Sequence, residues 1–124
     1  MKLRKLLLIL GLMVFIAVQA LASGAWADEF VSVELESGET QGFLFDAPDN
    51  PVGSLILFAG GHGWLNLSGT SIGWGDNNFV VRTREQYVEK GFQVAVVDTP
   101  SNKKKINAIF RMSDEHGAGI RAVA

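Results

Sequence analysis

Alternating apolar and polar residues predict the first two strands. Val31, Val33 and Leu35 alternate with polar residues, the period-two pattern of a strand with one buried face. Residues 37–38 (Ser-Gly) are typical of a turn, and Thr40–Phe45 predicts a second strand. We therefore expect these two strands to form a β-hairpin.

Continuous apolar runs predict a second pair of strands. Ser54–Phe58 (SLILF) and Phe92–Val97 (FQVAVV) do not alternate, as is typical of strands buried on both faces of a parallel sheet. Between them, apolar residues at helical spacing predict a helix over about Phe79–Lys90. Residues 76–78 (Asp-Asn-Asn) can cap its start, and Gly91 can end it. Strand, helix and strand form a βαβ unit, whose crossover we expect to be right-handed.

A final helix is predicted after Ser113. This serine can cap the helix, and the two residues that follow it are acidic, which the helix dipole favours. Ile120 and Val123 are expected to face the sheet. The basic run Lys103–Lys105 before this helix is interpreted as a solvated loop. The pattern thus predicts an α/β fold with a β-hairpin, a βαβ unit and a last helix.

The first 27 residues are predicted to form a secretory signal peptide. Three basic residues lie among the first five, Leu6–Ala20 is uncharged and apolar, and Ala25 and Ala27 are small residues at a cleavage site. This prediction divides the chain into a signal at 1–27 and a domain at 28–124, and indicates a periplasmic or secreted location. The alternative is an uncleaved anchor, because Leu6–Ala22 is close to the shortest length that spans a bilayer. A lipid anchor on cysteine is excluded, since the chain has none.

The charge and length of the region at 28–124 limit its possible partners and its number of domains. Eight basic and 13 acidic residues give it a net charge of −5. An acidic surface argues against nucleic acid or an anionic membrane as a partner, so we expect contact with the membrane only through the signal segment during export. The length allows one small domain, and the absence of cysteine leaves its stability to packing.

The candidate site lies where the two apolar strands end. Ligands of open parallel sheets bind beyond the carboxyl ends of the strands. The segments there are Ala59–Trp64 (AGGHGW), called the glycine loop below, and Asp98–Pro100. Glycines let the backbone approach a ligand and turn its amides towards it, and such amides can stabilise an oxyanion in acyl transfer. Two alternatives remain open: the glycines only form a tight turn, or His62 acts as a catalytic base.

Other ligand chemistries find little support in the sequence. The glycine spacing matches neither common phosphate-binding motif. His62 and His116 are the only histidines, and no carboxylates show ligand spacing, so we expect no metal and no cofactor. The apolar residues Trp64, Ile72 and Trp74 either line a pocket or form a small core of the long loop.

The order of these parts resembles the N-terminal portion of the α/β-hydrolase family, in particular its poorly characterised exported members. The resemblance covers nearly all of the region after the signal and is carried, besides the hairpin, by the segments SLILF, AGGHGW, NNFVVRTREQYVEKGF, VAVVDTPS and FRMSDEHGAGIRAV. It implies part of a three-layer sandwich and a serine hydrolase that acts on ester, amide or similar acyl substrates. It also implies that Gly61 and His62 belong to the oxyanion loop.

The family's nucleophilic serine is the main departure. It lies in a G-x-S-x-G elbow between a strand and a helix. Gly69–Gly73 matches the motif around Ser71, but neither a clear strand precedes it nor a helix directly follows it. We therefore expect a hydrolase fragment that lacks the elbow and is inactive alone. The alternative is a small exported α/β domain that binds a ligand or partner without catalysis.

Overall fold

The computed structural model describes residues 27–124. The predicted signal peptide and the alternative anchor therefore lie outside the described residues, except for Ala27. Within the described range, every helix is too short or too polar to cross a membrane. The strands are β1 Glu29–Glu34, β2 Thr40–Asp46, β3 Gly53–Phe58, β4 Leu67–Ser68, β5 Ser71–Ile72 and β6 Phe92–Val97, and the helices are α1 Phe79–Arg82, α2 Arg84–Glu89, α3 Ala108–Arg111 and α4 Asp114–Val123.

Four strands form a mixed sheet in the order β1-β2-β6-β3. β1 and β2 are an antiparallel hairpin, β2 also runs antiparallel to β6, and β6 runs parallel to β3. The α/β class, the hairpin and the parallel pair are thus confirmed. β4 and β5 form a separate two-stranded hairpin within the long loop after β3, which the sequence analysis did not predict.

The two apolar runs differ in burial. Val94–Val97 of β6 are buried, because β6 lies between β2 and β3. β3 is only half-buried, so the prediction of burial on both faces is wrong for Ser54–Phe58. The reason is its position: β3 lies at an edge of the sheet formed by residues 27–124.

Helices cover both faces of the sheet. On one face, Val81 of α1 and Val88 of α2 pack with Leu44, Val94 and Val96 of the sheet. On the other face, Val123 of α4 packs against a cluster that contains three buried residues, Phe43, Ala95 and Val97. Alternation along β2 and β6 separates these two clusters, since successive side chains point to opposite faces.

The single helix predicted over Phe79–Lys90 is two short helices. Asn78 caps the first by accepting the Val80 N–H, as expected for residues 76–78. Thr83 separates the two, because both its N–H and its hydroxyl donate to the Phe79 carbonyl, at 3.2 and 2.7 Å. Such bonding from a threonine hydroxyl bends or interrupts helices. Gly91 follows α2, as predicted, and its φ of +93° is of the sign that glycine commonly adopts at the end of a helix.

The last helix agrees with the prediction at its start. Ser113 precedes α4 and accepts the His116 N–H at 3.2 Å. Val123 faces the sheet as expected, whereas Ile120 is half-buried and lies outside the core clusters. At Gly119 the helix lies close to β2, since a Cβ there would be 3.0 Å from Gln41 Oε1.

Candidate functional site

The two candidate segments lie at one edge of the sheet. Phe58 of β3 is paired with Val97 of β6, and because these strands are parallel, both chains leave the sheet at the same level. The glycine loop and Asp98–Pro100 therefore lie side by side, as the sequence predicted. This is the edge where open α/β sheets bind ligands.

Hydrogen bonds fix the carbonyl groups of the glycine loop. A single guanidinium nitrogen of Arg111 donates to the Ala59 and Gly61 carbonyls, at 3.1 and 3.0 Å. The Ile106 N–H donates to the His62 carbonyl at 3.0 Å. Gly61 and Gly63 have φ values of +65° and +76°, which side-chain-bearing residues rarely adopt. Contacts with residues 106 and 111 thus hold the loop in one conformation.

Several backbone N–H groups of the same loop, unlike the carbonyl groups above, lack a hydrogen-bond partner in the described part of the chain. The Gly63 N–H donates weakly, at 3.4 Å, to the Gly60 carbonyl. The N–H groups of Gly60, Gly61 and His62 donate to no acceptor among residues 27–124, and these three residues are exposed. Exposed N–H groups without a protein acceptor bond to water, and a row of neighbouring ones can also bind an anion.

The His62 ring folds back over its own loop. Its Nδ1 accepts the Trp64 N–H at 3.2 Å, and its ring meets the edge of Trp74 at 6.4 Å between centroids. Because Nδ1 accepts this bond, only Nε2 remains for contact with a ligand. In the described part of the chain, neither a serine nor a carboxylate is hydrogen-bonded to the ring. The interpretation as a catalytic base stays a prediction.

Asp98 is the site residue whose role the sequence did not reveal. Its Oδ1 accepts the N–H groups of Leu65 and Thr99, both at 2.7 Å, and its Oδ2 accepts the Leu67 N–H at 3.0 Å. A charged acceptor makes these bonds stronger than neutral ones. Asp98 therefore binds the segment that follows the glycine loop to the end of β6. Its position directly after a buried strand was the only available signal.

Ser71 lies in the small hairpin and not in an elbow. It is exposed in β5 and pairs with Ser68 of β4 across the turn at Gly69 and Thr70. A nucleophile elbow instead places serine between a strand and a helix. The motif match at Gly69–Gly73 is thus part of a tight β-turn, and Gly69 supplies its positive φ of +55°.

The apolar residues of the long loop do not share one environment. Ile72 packs against the core cluster on the α1–α2 face. Trp74 is 58% exposed, and Trp64 is half-buried with the Lys104 ammonium 5.8 Å from its ring. Ile72 therefore packs against the core, whereas Trp64 ends the glycine loop and Trp74 contacts the His62 ring of that loop.

A cleft opens beside His62. It has a volume of about 540 Å³ and is lined by His62, Lys103, Lys105, Ile106, Asn107 and Phe110. We call it the His62 cleft. The solvated-loop interpretation of Lys103–Lys105 fails for Lys103, which is half-buried and forms an ion pair with Glu115 at 3.3 Å. The basic run thus forms one wall of a concave surface.

His116 is buried beneath this region. It is 7% exposed, and its ring contacts those of Phe58 and Phe110, with centroids at 5.6 and 5.3 Å. Its Nδ1 is buried with no hydrogen-bond partner among residues 27–124. Burial lowers the pKa of His116, and the nearby charge of Arg111 lowers it further. Both effects favour the neutral form of the ring.

Metal-ligating residues do not cluster in the described part of the chain, where no group of three or more could hold an ion. The chain matches no known family, no curated protein and no solved structure in comparisons of all three kinds. The fold and the local geometry must therefore carry any functional conclusion.

Proposed function

We propose that this chain supplies the oxyanion-binding edge of an exported serine-hydrolase-like protein that acts on ester, amide or similar acyl substrates. One observation carries the proposal. It is the state of the glycine loop, which follows the third strand and precedes the first helix. Arg111 and Ile106 bind the carbonyl groups of this loop, whereas the N–H groups of Gly61 and His62 have no acceptor within residues 27–124.

The position of the loop supports this assignment. In α/β-hydrolases one amide of the oxyanion hole comes from the loop between the third strand and the first helix. An oxyanion hole also needs donors that are fixed before the reaction. Here Arg111 holds the Gly61 carbonyl at 3.0 Å, which orients the adjoining peptide unit.

The proposal gives the described residues a binding role and no complete catalytic apparatus. Ser71 lies in the β4–β5 hairpin, and His62 has no serine partner within residues 27–124. We therefore propose that this region is inactive by itself and that an attacking serine would come from another segment.

Acyl-analogue binding to the purified chain tests the proposal. Monomethyl butylphosphonate is a tetrahedral monoanion, and butyrate is a planar monoanion of similar length. An oxyanion hole should favour the tetrahedral ion, so the Gly61 and His62 amide resonances should shift at lower phosphonate than butyrate concentration. Gly38 and Gly69 also have positive φ values and serve as control amides.

Two results would overturn the proposal. The first is that both anions leave the Gly61 and His62 resonances unchanged, or shift the control amides equally. The second is hydrolysis of 4-nitrophenyl butyrate that Ser71→Ala abolishes, since the chain would then contain its own nucleophile. We expect hydrolysis at the rate of buffer alone.

A binding domain without catalysis is the second candidate. The observation that favours it is the absence of a serine hydrogen-bonded to His62 within residues 27–124. Reading the coding DNA beyond codon 124 separates the two candidates. A strand followed by G-x-S-x-G there favours the hydrolase.

We propose export through the signal at residues 1–27. Its basic start and uncharged apolar run support this proposal. The intact mass of the exported protein should correspond to a chain that begins at Asp28. A mass that includes Met1 would contradict cleavage and favour the anchor.

A further inference from the structure

We propose that the His62 cleft selects an acyl ligand that carries a second, acidic group, which binds at Lys105. The inference rests on the proposed function, because it assigns the first anionic group to the Gly61 and His62 amides. It adds the charge of the ligand's far end, which neither the loop nor the fold specifies.

The charge distribution around the cleft points to an anion. Two of the six residues that line the cleft, Lys103 and Lys105, are basic, and none of the six is acidic. Glu115 of α4 pairs with Lys103 at 3.3 Å, so Lys105 gives this wall its unpaired positive charge within the described residues. The region 28–124 as a whole has a net charge of −5, with eight basic and 13 acidic residues. The cleft wall is thus locally positive on an acidic domain, and local charge raises the concentration of oppositely charged ligands.

The basic side chains of this segment are not equivalent. Lys103 pairs with Glu115 at 3.3 Å and lies 4.8 Å from the Phe110 ring centroid. Arg111 is bound to the glycine-loop carbonyls. Lys105 lines the cleft, is exposed and forms no ion pair within the described range. Lys104 is exposed as well, but it does not line the cleft, and its ammonium lies 5.8 Å from the Trp64 ring centroid. Lys105 is therefore the cleft lysine whose charge is available to a ligand.

The remaining lining residues suit a short apolar chain that ends in a carboxylate. Phe110 and Ile106 supply apolar walls. Asn107 uses its Oδ1 to accept the Phe110 N–H at 2.9 Å, so its side-chain NH₂ can donate to an anion. A cation, an amide donor and apolar walls together match a dicarboxylate-like ligand better than a neutral one.

Glutarate and butyrate are the probes, because they differ by one terminal carboxylate. Each is titrated into the purified full chain, with amide resonances followed by NMR. We expect both to shift the Gly61 and His62 amides, and glutarate also to shift the Asn107 side-chain amide. One exposed ion pair gives glutarate an affinity about threefold to fivefold higher. This advantage should disappear in Lys105→Gln and near 1 M salt, where the screening length is only about 3 Å.

Lys90→Gln is the matched control, since it removes an exposed lysine from the end of α2 and should preserve the advantage of glutarate. Equal affinities for the two probes, with shifts at Gly61 and His62, would overturn the inference but retain the proposed function. A Lys105-dependent shift at Asn107 with unchanged loop amides would support the acidic-group site but overturn its link to the glycine loop. Binding of neither probe overturns the inference, and the phosphonate titration described above then decides the proposed function separately.

Discussion

The carboxylate of Asp98 accepts the backbone N–H of Leu65 at 2.7 Å and so joins the end of β6 to the segment after the glycine loop. The same carboxylate also accepts the Leu67 and Thr99 N–H groups. Leu65 is fully buried in the core cluster on the α1–α2 face. One side chain thus couples the candidate site to the packing of the sheet.

Asp98→Asn should destabilise the domain by about 1–3 kcal/mol. The substitution leaves one acceptor oxygen and places an NH₂ group against at least one of three backbone donors. Urea unfolding measures the loss, and hydrogen exchange at Leu65 and Leu67 should become faster. Asp49→Asn removes an exposed carboxylate from the turn after β2 and is the control. Equal stability of the two variants would contradict the structural role of Asp98.

Alanine at Gly63 should be more damaging than alanine at Gly61. Both positions have positive φ, which costs a residue with a side chain about 1–2 kcal/mol. A Cβ at Gly63 would also lie 3.0 Å from both Arg111 and Ile106, whereas a Cβ at Gly61 would meet nothing within 4 Å. In urea unfolding, Gly63→Ala should therefore have a lower free energy of unfolding than Gly61→Ala.

Gly38→Ala is the control for the backbone term alone, because Gly38 has φ +90° and open space around its Cβ position. Its loss of stability should be similar to that of Gly61→Ala. If Gly63→Ala were no less stable than these two, the contact of the glycine loop with Arg111 and Ile106 would not be as close as described.

The spacing of apolar residues and the residues typical of turns and helix caps predicted most of the fold, because both signals depend on neighbouring residues. The alternation of Val31 and Val33 and the cap at Ser113 depend only on neighbouring residues, and the structure contains both features. The half-burial of β3 was missed, since an apolar run does not reveal which strand lies at an edge. The break at Thr83 was missed because apolar spacing continues across it.

The sequence predicted the position of the candidate site but not the side chains that hold the glycine loop. Gly61 and His62 were found because a glycine-rich segment follows a strand. The residues that fix the loop, Arg111 and Asp98, lie about 50 and 35 positions further along the chain, and hydrogen bonds over such separations leave no local pattern. Burial of His116 likewise depends on the docking of α4 against the sheet.

Arg111→Met should loosen the glycine loop without unfolding the domain. The guanidinium bonds to the Ala59 and Gly61 carbonyls are lost, at a cost of about 1–2 kcal/mol for partly exposed charged hydrogen bonds. Backbone order parameters of Gly60 to Gly63 should fall from rigid values of about 0.85 towards about 0.6. Arg121→Met, on the exposed side of α4, should leave them unchanged. An equally rigid loop in both variants would contradict the role of Arg111.

Stability should fall in acid because of His116. Burial lowers its pKa in the folded protein, so the unfolded chain binds the proton more readily. Stability therefore rises with pH where the unfolded state carries the extra proton, and it is lost as pH falls through the ordinary histidine range near about 6.5. Urea midpoints between pH 5 and 8 measure this slope.

His116→Phe should flatten that profile, because phenylalanine keeps an aromatic ring beside Phe58 and Phe110 and does not titrate in this range. His62→Gln retains His116 and should keep the fall in stability towards acid. An unchanged slope in His116→Phe would show that other groups cause the acid sensitivity.

Asp28→Asn should weaken the attachment of the first described residues to the helices. Oδ1 of Asp28 accepts the Arg84 Nε–H at 3.2 Å, and Oδ2 accepts a terminal N–H of the same guanidinium at 2.7 Å, which makes the contact bidentate. Both side chains are less than one-fifth exposed. The hydrogen bond to Asp28 raises the pKa of Arg84, because the carboxylate stabilises the charged guanidinium. The paired, charged geometry predicts that the free energy of unfolding, measured in urea, falls by about 1–2 kcal/mol.

Glu29→Gln is the control, since it removes the adjacent exposed carboxylate and should change stability by less than about 0.5 kcal/mol. Equal losses of stability in the two variants would show that only the negative charge near α2 stabilises the domain, and that the bidentate contact adds nothing.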